Sequence, residues 1–146
     1  MIIRKMTIED YDCIYNLWIN THGMGLNNLD DSRQGIEKYL KRNPETCFVA
    51  LKDDLIIGVI LCGNDGRRGY IHHTAVAISE RNQGVGTALV NAALDALKSE
   101  GINKVALVVF SRNELGNSFW EKQGFITRED LVYRNRTINE LTRIDT

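Results

Sequence analysis

Apolar residues recur at helical spacing in four stretches of the chain, and turn-forming residues separate these stretches. In the clearest one, Val85 is followed by apolar residues at i+3, i+4, i+7, i+8, i+11 and i+12, and Gly101 stands where a helix C-cap is expected. The other three are 8–18 behind a Thr7 N-cap, 36–40 ahead of Asn43-Pro44, and 113–123 ahead of Gly124. The pattern therefore predicts four helices.

Short apolar and β-branched runs between these helices predict strands. The runs are Ile2 to Met6, Cys47 to Leu51, Leu55 to Leu61, Tyr70 to Ile78, Lys104 to Phe110, and a charge-interleaved tail from Phe125 to Ile138. The second and third runs form a hairpin, and the helix at Val85 joins two strands in what reads as a parallel βαβ unit with a right-handed crossover. The predicted fold class is therefore α/β, more closely an α+β mixed sheet, with antiparallel N-terminal strands and a central parallel βαβ unit.

Length, charge and cysteine content narrow the class of protein. A chain of 146 residues is about one domain long, so residues 1–146 are interpreted as a single domain. A net charge of −1 gives no general attraction to nucleic acid or to a membrane surface, and the apolar runs fall far below the ~18 residues that span a bilayer. The three cysteines lack disulfide or metal spacing, which predicts reduced core or near-core thiols and no metal. These features predict a cytoplasmic protein.

Two glycines, Gly84 and Gly86, lie between a predicted strand and a predicted helix. Such a turn leaves several backbone N–H groups unpaired at the positive end of the helix dipole, and a Cβ there would hold an anion away. The turn therefore predicts a phosphate or pyrophosphate on residues 83–87; a tight turn that binds nothing is the alternative. The dinucleotide fingerprint fits poorly because Leu89 replaces the third small residue, and the chain has no G-K-[ST] tripeptide.

The sequence around these glycines resembles a known family. The segment Arg81-Asn82-Gln83-Gly84-Val85-Gly86 matches [RQ]-x-x-G-x-[GA], the pyrophosphate loop of the GNAT superfamily of acyl-CoA-dependent N-acetyltransferases. A second motif, Asn113-x-x-Gly116-x-x-x-Trp120-x-x-x-Gly124-Phe125, follows the family's N-x-x-A-x-x-x-Y-x-x-x-G-F with two substitutions. The order of predicted elements also matches over nearly the whole chain, and the resemblance is closest to small bacterial YpeA-type and ribosomal-protein alanine acetyltransferase-like members.

This resemblance implies acetyl-CoA as co-substrate. The main chain of Val76 and Ile78 is then expected to pair with the amides of the pantetheine arm, and Asn113 to hydrogen-bond the cofactor near the start of the last helix. The pyrophosphate is expected on the N–H groups of Gly84, Val85, Gly86, Thr87, Ala88 and Leu89. Arg81, Gln83 and Trp120 complete the expected cofactor-binding set through the two motifs.

Acetyl transfer needs a neutral amine and therefore a proton acceptor. Some family members carry a glutamate where Val108 stands here, and others place a Glu or His on the strand before the glycine turn, where His72 stands. A pKa near neutrality suits His72 as a base that works through water. Because adjacent strand residues face opposite sides, only one of His72 and His73 is expected to serve; two strand histidines without chemistry are the alternative.

The departing thiolate and the acceptor need further groups. Trp120 replaces the family's tyrosine and cannot deliver a proton usefully, so Tyr133 on the final strand is the predicted acid. The main-chain N–H of Val76 is the predicted oxyanion donor. The family resemblance places the loop between the first two helices over the acceptor; its predicted lining residues are Trp18, Met24, Leu26, Asp30 and Asp31.

Two functions follow. The first is an N-acetyltransferase that moves the acetyl group of acetyl-CoA to a primary amine of a small molecule or peptide, with no nucleic-acid or membrane partner and with a homodimer left open. The alternative is a catalytically weak acyl-CoA-binding regulatory or interaction module with the same fold, which the missing tyrosine and glutamate favour.

Overall fold

A computed structural model describes residues 1–144 and shows a five-stranded mixed sheet. The strands lie in chain order: β1 (Ile2–Lys5), β2 (Phe48–Lys52), β3 (Leu55–Asn64), β4 (Gly69–Val76) and β5 (Val105–Ala106). The first four pair antiparallel, and β4 pairs with β5 in parallel. The predicted fold class, antiparallel strands followed by a parallel βαβ join, is confirmed.

Four α-helices cover the two faces of this sheet: α1 (Tyr11–Ile19), α2 (Arg33–Arg42), α3 (Val85–Ser99) and α4 (Glu114–Lys122). Helices α1 and α2 bury Ile14, Trp18 and Ile36 against one face. Helix α3 buries Leu89 and Val90 against the other, where the aromatic side of α4 also packs. The four predicted helices are therefore present, with a core on each face of the sheet.

The helix starts follow from local hydrogen bonds. Asp10, at the end of a short 3₁₀ turn before α1, accepts the Thr7 N–H at 2.9 Å and pairs with the Arg4 guanidinium at 2.8 Å. The Ser32 hydroxyl accepts the Gly35 N–H at the start of α2. These caps occupy backbone donors that a helix terminus otherwise leaves unpaired.

The C-terminal third differs from the prediction. Only Val105–Ala106 of the apolar run is strand, Val108 is 56% exposed, and residues 125–144 contribute a single bridge, Asn27 to Arg143. Apolar and β-branched composition shows that a segment fits a pleated, half-buried surface, but pairing also requires a neighbouring edge. Interleaved charges leave the tail without a continuous apolar face, so the predicted final strand is wrong within the described residues.

Candidate active site

An open cleft of about 2470 Å³ lies beside β4, between the α1–α2 loop and the starts of α3 and α4. It brings together most of the residues singled out from the sequence: His72, Val76, Ile78, Arg81, Gly84, Val85, Gly86, Thr87, Asn113, Trp120 and Tyr133. Met24, Asp30 and Asp31 from the α1–α2 loop also line the cleft, whereas Trp18 and Leu26 are buried in the core. The two sequence motifs and the expected acceptor loop therefore share one cavity.

The glycine turn has the backbone of an anion site. Gly84 is the N-cap of α3 and has φ +82°, in the left-handed region that favours glycine, and Asn82 also has a positive φ of 61°. A Cβ on Gly84 would meet nothing within 4 Å, so the turn faces open space. The Ala88 N–H donates to the Gly84 carbonyl at 3.0 Å, which leaves the preceding N–H groups, 85–87, before the first intrahelical bond. Those groups and the helix dipole favour an anion there.

The sequence predicted more groups in contact with the pyrophosphate than this turn leaves free. Ala88 already bonds within the helix, and Leu89 is fully buried in the core. The Gln83 side chain turns back to the Ser79 carbonyl. None of these three residues lines the cleft, and their predicted contacts with a ligand stay predictions.

Gly86 has a packing role that the sequence did not reveal. A Cβ on Gly86 would stand 2.9 Å from Cε1 of Phe119 in α4. One residue on, the Thr87 hydroxyl accepts a hydrogen bond from the Gln123 side chain at 2.9 Å. Gly86 therefore lets α4 approach the first turn of α3.

The edge of β4 is open beyond its short pairing with β5, which ends at Tyr70 and Ala106. The Ala77 N–H donates to Ile57 of β3 at 2.8 Å, so the Val76 carbonyl, on the same peptide unit, points to the opposite, open edge. There it accepts a hydrogen bond from Arg81 Nε at 3.1 Å. Val76 thus presents main-chain groups to the cleft.

Ile78 lies beyond the end of β4. It begins a 3₁₀ turn (Ile78–Glu80), its carbonyl accepts the Arg81 N–H at 3.4 Å, and its side chain is exposed. The predicted strand therefore ends two residues early, and Ile78 is not an extended partner of Val76.

A β-bulge places both histidines on one face of the sheet. Ile60 pairs with Thr74 and Cys62 with Ile71, so Leu61 alone opposes both His72 and His73. The extra residue breaks the strand alternation. The expectation that His72 and His73 face opposite sides of the strand is therefore wrong, and the assignment of one of them as the base stays a prediction.

Ring contacts show the shared face directly. The His72 ring lies 5.5 Å from the ring of Tyr39 in α2, and the His73 ring lies 5.0 Å from that of Trp18 in α1. Both helices cover the same side of the sheet.

His72 has an exposed edge, but Tyr39 and Tyr70 crowd its ring. Burial is the main cause that lowers the pKa of His72 below its ordinary value, and His73 lowers it further; Asp31 and Asp30 oppose the shift. A lowered pKa favours the neutral imidazole, which is the form that can accept a proton.

His73 forms a buried pair with Asp31. Its Nε2 lies 2.7 Å from Asp31 Oδ1, and both side chains are largely buried. The other carboxylate oxygen accepts the Asn27 N–H at 2.8 Å, and the Tyr11 hydroxyl donates to the Asp31 carbonyl at 2.7 Å. Sequence reasoning assigned Asp31 to the acceptor loop but missed this pair, for which adjacent His-His and Asp-Asp dipeptides were the only signal.

The remaining predicted residues occupy the α4 side of the cleft. The Asn113 side-chain oxygen caps α4 by accepting the Gly116 N–H at 2.9 Å. Trp120 is half-buried between the rings of Phe119 and Phe125. Tyr133 is 64% exposed and lies in the irregular tail; burial, followed by the electrostatic effect of Tyr133, raises the pKa of Tyr70.

Residues 1–144 contain neither a membrane-spanning helix nor a metal-binding cluster. No helix in that range is long and apolar enough to cross a membrane. No cluster of three or more His, Cys, Asp or Glu side chains in the same range is arranged to hold a metal ion.

Comparison with known proteins identifies the family. The model of the acetyltransferase (GNAT) family matches residues 11–125. N-alpha-acetyltransferase 30 of Schizosaccharomyces pombe is 39% identical over 96 residues, which are 62% of this chain and 63% of that relative. An acetyltransferase of Yersinia pestis (strain Pestoides F) is 28% identical over 138 residues, covering 94% of this chain and 96% of that relative.

A solved structure shares the fold. The crystal structure of the PaiA N-acetyltransferase of Thermoplasma acidophilum, in complex with coenzyme A, matches with a TM-score of 0.75 at 21% identity and covers 88% of this chain and 91% of that one. The family match contains the glycine turn, the histidine bulge and α4. The chain therefore belongs to the GNAT family of acetyltransferases.

Proposed function

We propose that this protein transfers the acetyl group of acetyl-CoA to a primary amine of a small molecule or peptide. The observation that carries the proposal is one cleft that is lined by the glycine turn at Gly84, the open main chain at Val76 and the His72 ring. Acetyl-CoA supplies a thioester whose acetyl group an amine can attack. The chain supplies the binding surface and the proton acceptor.

The cleft fits the cofactor by its backbone. The open space at Gly84 is where a Cβ would collide with a phosphate, and residues 85–87 supply N–H donors beside it. An extended amide chain fits the open edge of β4 at Val76 as an added half-strand. Arg81 must then share or release the Val76 carbonyl, and Asn113 lies at the α4 side of the same path.

The proton is the main chemical requirement. A lysine-like amine with pKa ~10.4 is neutral only about once in 2,500 molecules at pH 7, whereas an α-amino group near ~7.7–8.0 is neutral roughly one time in ten. We propose that His72 accepts this proton, directly or through water, so that the neutral amine nitrogen can bond to the acetyl carbon; the nitrogen then releases a second proton. The carbon–sulfur bond then breaks with its electron pair on sulfur, and the thiolate takes up a proton.

Two further groups have proposed roles in this step. The Val76 N–H points to the same open edge as its carbonyl and is the proposed donor to the developing oxyanion. Tyr133 lines the cleft near Tyr70 and is the proposed acid for the thiolate. Tyr133 is exposed, so its proposed role requires that the bound ligand bring the thiolate within reach of its hydroxyl.

The acceptor class is open between peptides and small amines. The 39% identity to a protein named N-alpha-acetyltransferase supports a peptide α-amino group. Because an α-amino group has a low pKa, it would also lose its proton to His72 more readily than a lysine-like amine. We also propose a cytoplasmic, single-domain enzyme; the free, buried thiols of Cys47 and Cys62 fit a reducing compartment.

Thiol release from acetyl-CoA, measured against polyamines, amino acids and N-terminal peptides, tests the proposal. We expect release with at least one amine class and its loss in His72→Ala, with acetyl-CoA binding retained in both proteins. Binding of acetyl-CoA without release for any acceptor would instead favour the acyl-CoA-binding module. Absence of acetyl-CoA binding would contradict both.

A further inference from the structure

We propose that Asp31 and His73 form a positioning pair for the transfer site, which holds the acceptor loop on β4 and fixes a carboxylate charge near His72. The inference rests on the proposed role of His72 as proton acceptor. It adds Asp31 and His73 to that site, as a pair that holds the loop in position and places a charge near His72.

The pair joins two elements that are far apart in sequence. Asp31 ends the α1–α2 loop, His73 lies in the β4 bulge, and their side chains meet at 2.7 Å. Asp31 also accepts the Asn27 N–H, so one carboxylate ties the loop backbone to the sheet. A buried carboxylate needs such hydrogen bonds, and removing one donor is costly because the charge stays behind.

The bulge gives the pair its influence on His72. Because both imidazoles lie on the α1–α2 side, the loop that Asp31 holds also borders His72. Each oxygen of Asp31 already accepts one hydrogen bond, and the side chain is only 5% exposed, so an acceptor amine has little direct access to the carboxylate. The pair therefore acts through loop position and charge rather than by contact with the reacting atoms.

The titratable groups around His72 come from three elements. Tyr39 faces it from α2, Tyr70 and His73 from β4, and Asp30 and Asp31 from the loop. The two tyrosines crowd the His72 ring. Of the two loop carboxylates, Asp31 has the larger effect on the pKa of His72. Asp31 favours the protonated imidazole that forms as His72 accepts a proton, and His73 opposes it.

The charge component can be tested without turnover, by NMR titration of the His72 imidazole in the full chain. In Asp31→Asn, which keeps the shape of the side chain, we expect the midpoint to fall by about half a pH unit or more. In His73→Gln, which keeps an N–H donor near Nε2, we expect it to rise. Asp30→Asn, an exposed charge one residue away, is the matched control and should move the midpoint less.

Steady-state kinetics tests the positioning component. His73→Phe removes the donor to Asp31 and should raise KM for the amine about tenfold, the size expected for one hydrogen bond to a charged group, while the acetyl-CoA KM stays unchanged. His73→Gln should restore the amine KM to within about twofold, a rescue that a purely steric role for the ring would not produce.

Two outcomes would overturn the inference. One is a His72 midpoint that does not move in either Asp31→Asn or His73→Gln. The other is a pH–rate limb that survives in His72→Ala and disappears in His73→Gln, because His73 would then be the proton acceptor itself. Failure to find any acceptor would count against the proposed function alone, since the NMR midpoints report on the pair in either case.

Discussion

Gly86, in the first turn of α3, lies directly against the ring of Phe119 in α4, so close that a Cβ would stand 2.9 Å from Cε1. The two glycines of the turn therefore have different structural roles. Gly84 adopts a backbone conformation that other residues rarely take and faces open space. Gly86 provides a close approach between helices, and through it the cofactor turn is coupled to the helix that carries Asn113 and Trp120.

The contact predicts that Gly86→Val destabilises the fold as well as the site. Overpacking a close helix contact costs typically ~1–3 kcal/mol, which urea denaturation would detect. Adding Phe119→Ala in the same chain should recover part of that loss, because it removes the ring that the new side chain meets. If Gly86→Val unfolds at the parent's urea midpoint, the 2.9 Å approach is not a constraint in solution.

Gly84→Ala should abolish acetyl-CoA binding with a smaller effect on the fold. The new methyl group meets no protein atom within 4 Å and projects into the space assigned to the pyrophosphate. Differential scanning fluorimetry with and without millimolar acetyl-CoA measures the ligand-induced rise in Tm, which mass action requires of any ligand that binds only the folded state.

Gly66→Ala is the matched control for that variant. Gly66 has φ +90°, and its Cβ would also meet nothing within 4 Å, but it lies in the β3–β4 turn and does not line the cleft. The backbone strain is therefore similar, and the ligand-induced Tm rise should be that of the parent. An equal loss of the rise in both variants would trace the effect to strain rather than to the phosphate position.

Asn113→Ala should both weaken acetyl-CoA binding and destabilise α4. Its side-chain oxygen caps that helix, and loss of such a cap costs ~0.5–2 kcal/mol. Asn113→Ser keeps a capping oxygen but loses the amide N–H. We therefore expect parental stability in the serine variant but a weakened affinity, measured by urea denaturation and by isothermal titration. Full affinity in the serine variant would confine Asn113 to capping.

Local patterns in the sequence accounted for the scaffold and the glycine turn. The spacing from Val85 to Leu97 fixes one face of α3, and the positive φ of Gly84 favours a glycine there. Both features depend on neighbours a few residues away, so they can be read from a short window. The same holds for the predicted N-cap Thr7, whose N–H donates to Asp10 three residues on.

The catalytic side of the cleft could not be read in that way. The bulge at His72 and His73 arises from a register shift against β3, and no residue in the window 70–76 specifies it. The approach of Asp31 to His73 spans 42 positions of sequence. Strand alternation, which is correct for a regular ladder, therefore gave the wrong faces at a place where the β3–β4 ladder breaks.

The pH dependence of the reaction tests the proton assignment most directly. A base must be unprotonated to act, so kcat/KM should rise with pH through the pKa of His72 and then level off. Since burial and His73 lower that pKa, the rise should lie below the ordinary histidine value of about 6.5, with the plateau reached by neutral pH. His72→Ala should remove the rise and lower the plateau by ~10²–10⁴. An α-amino acceptor titrates near ~7.7–8.0 and would add a second rise above neutrality, which the alanine variant should retain. A single rise at high pH in both proteins would show that His72 takes no proton, and that solvent removes it from the amine.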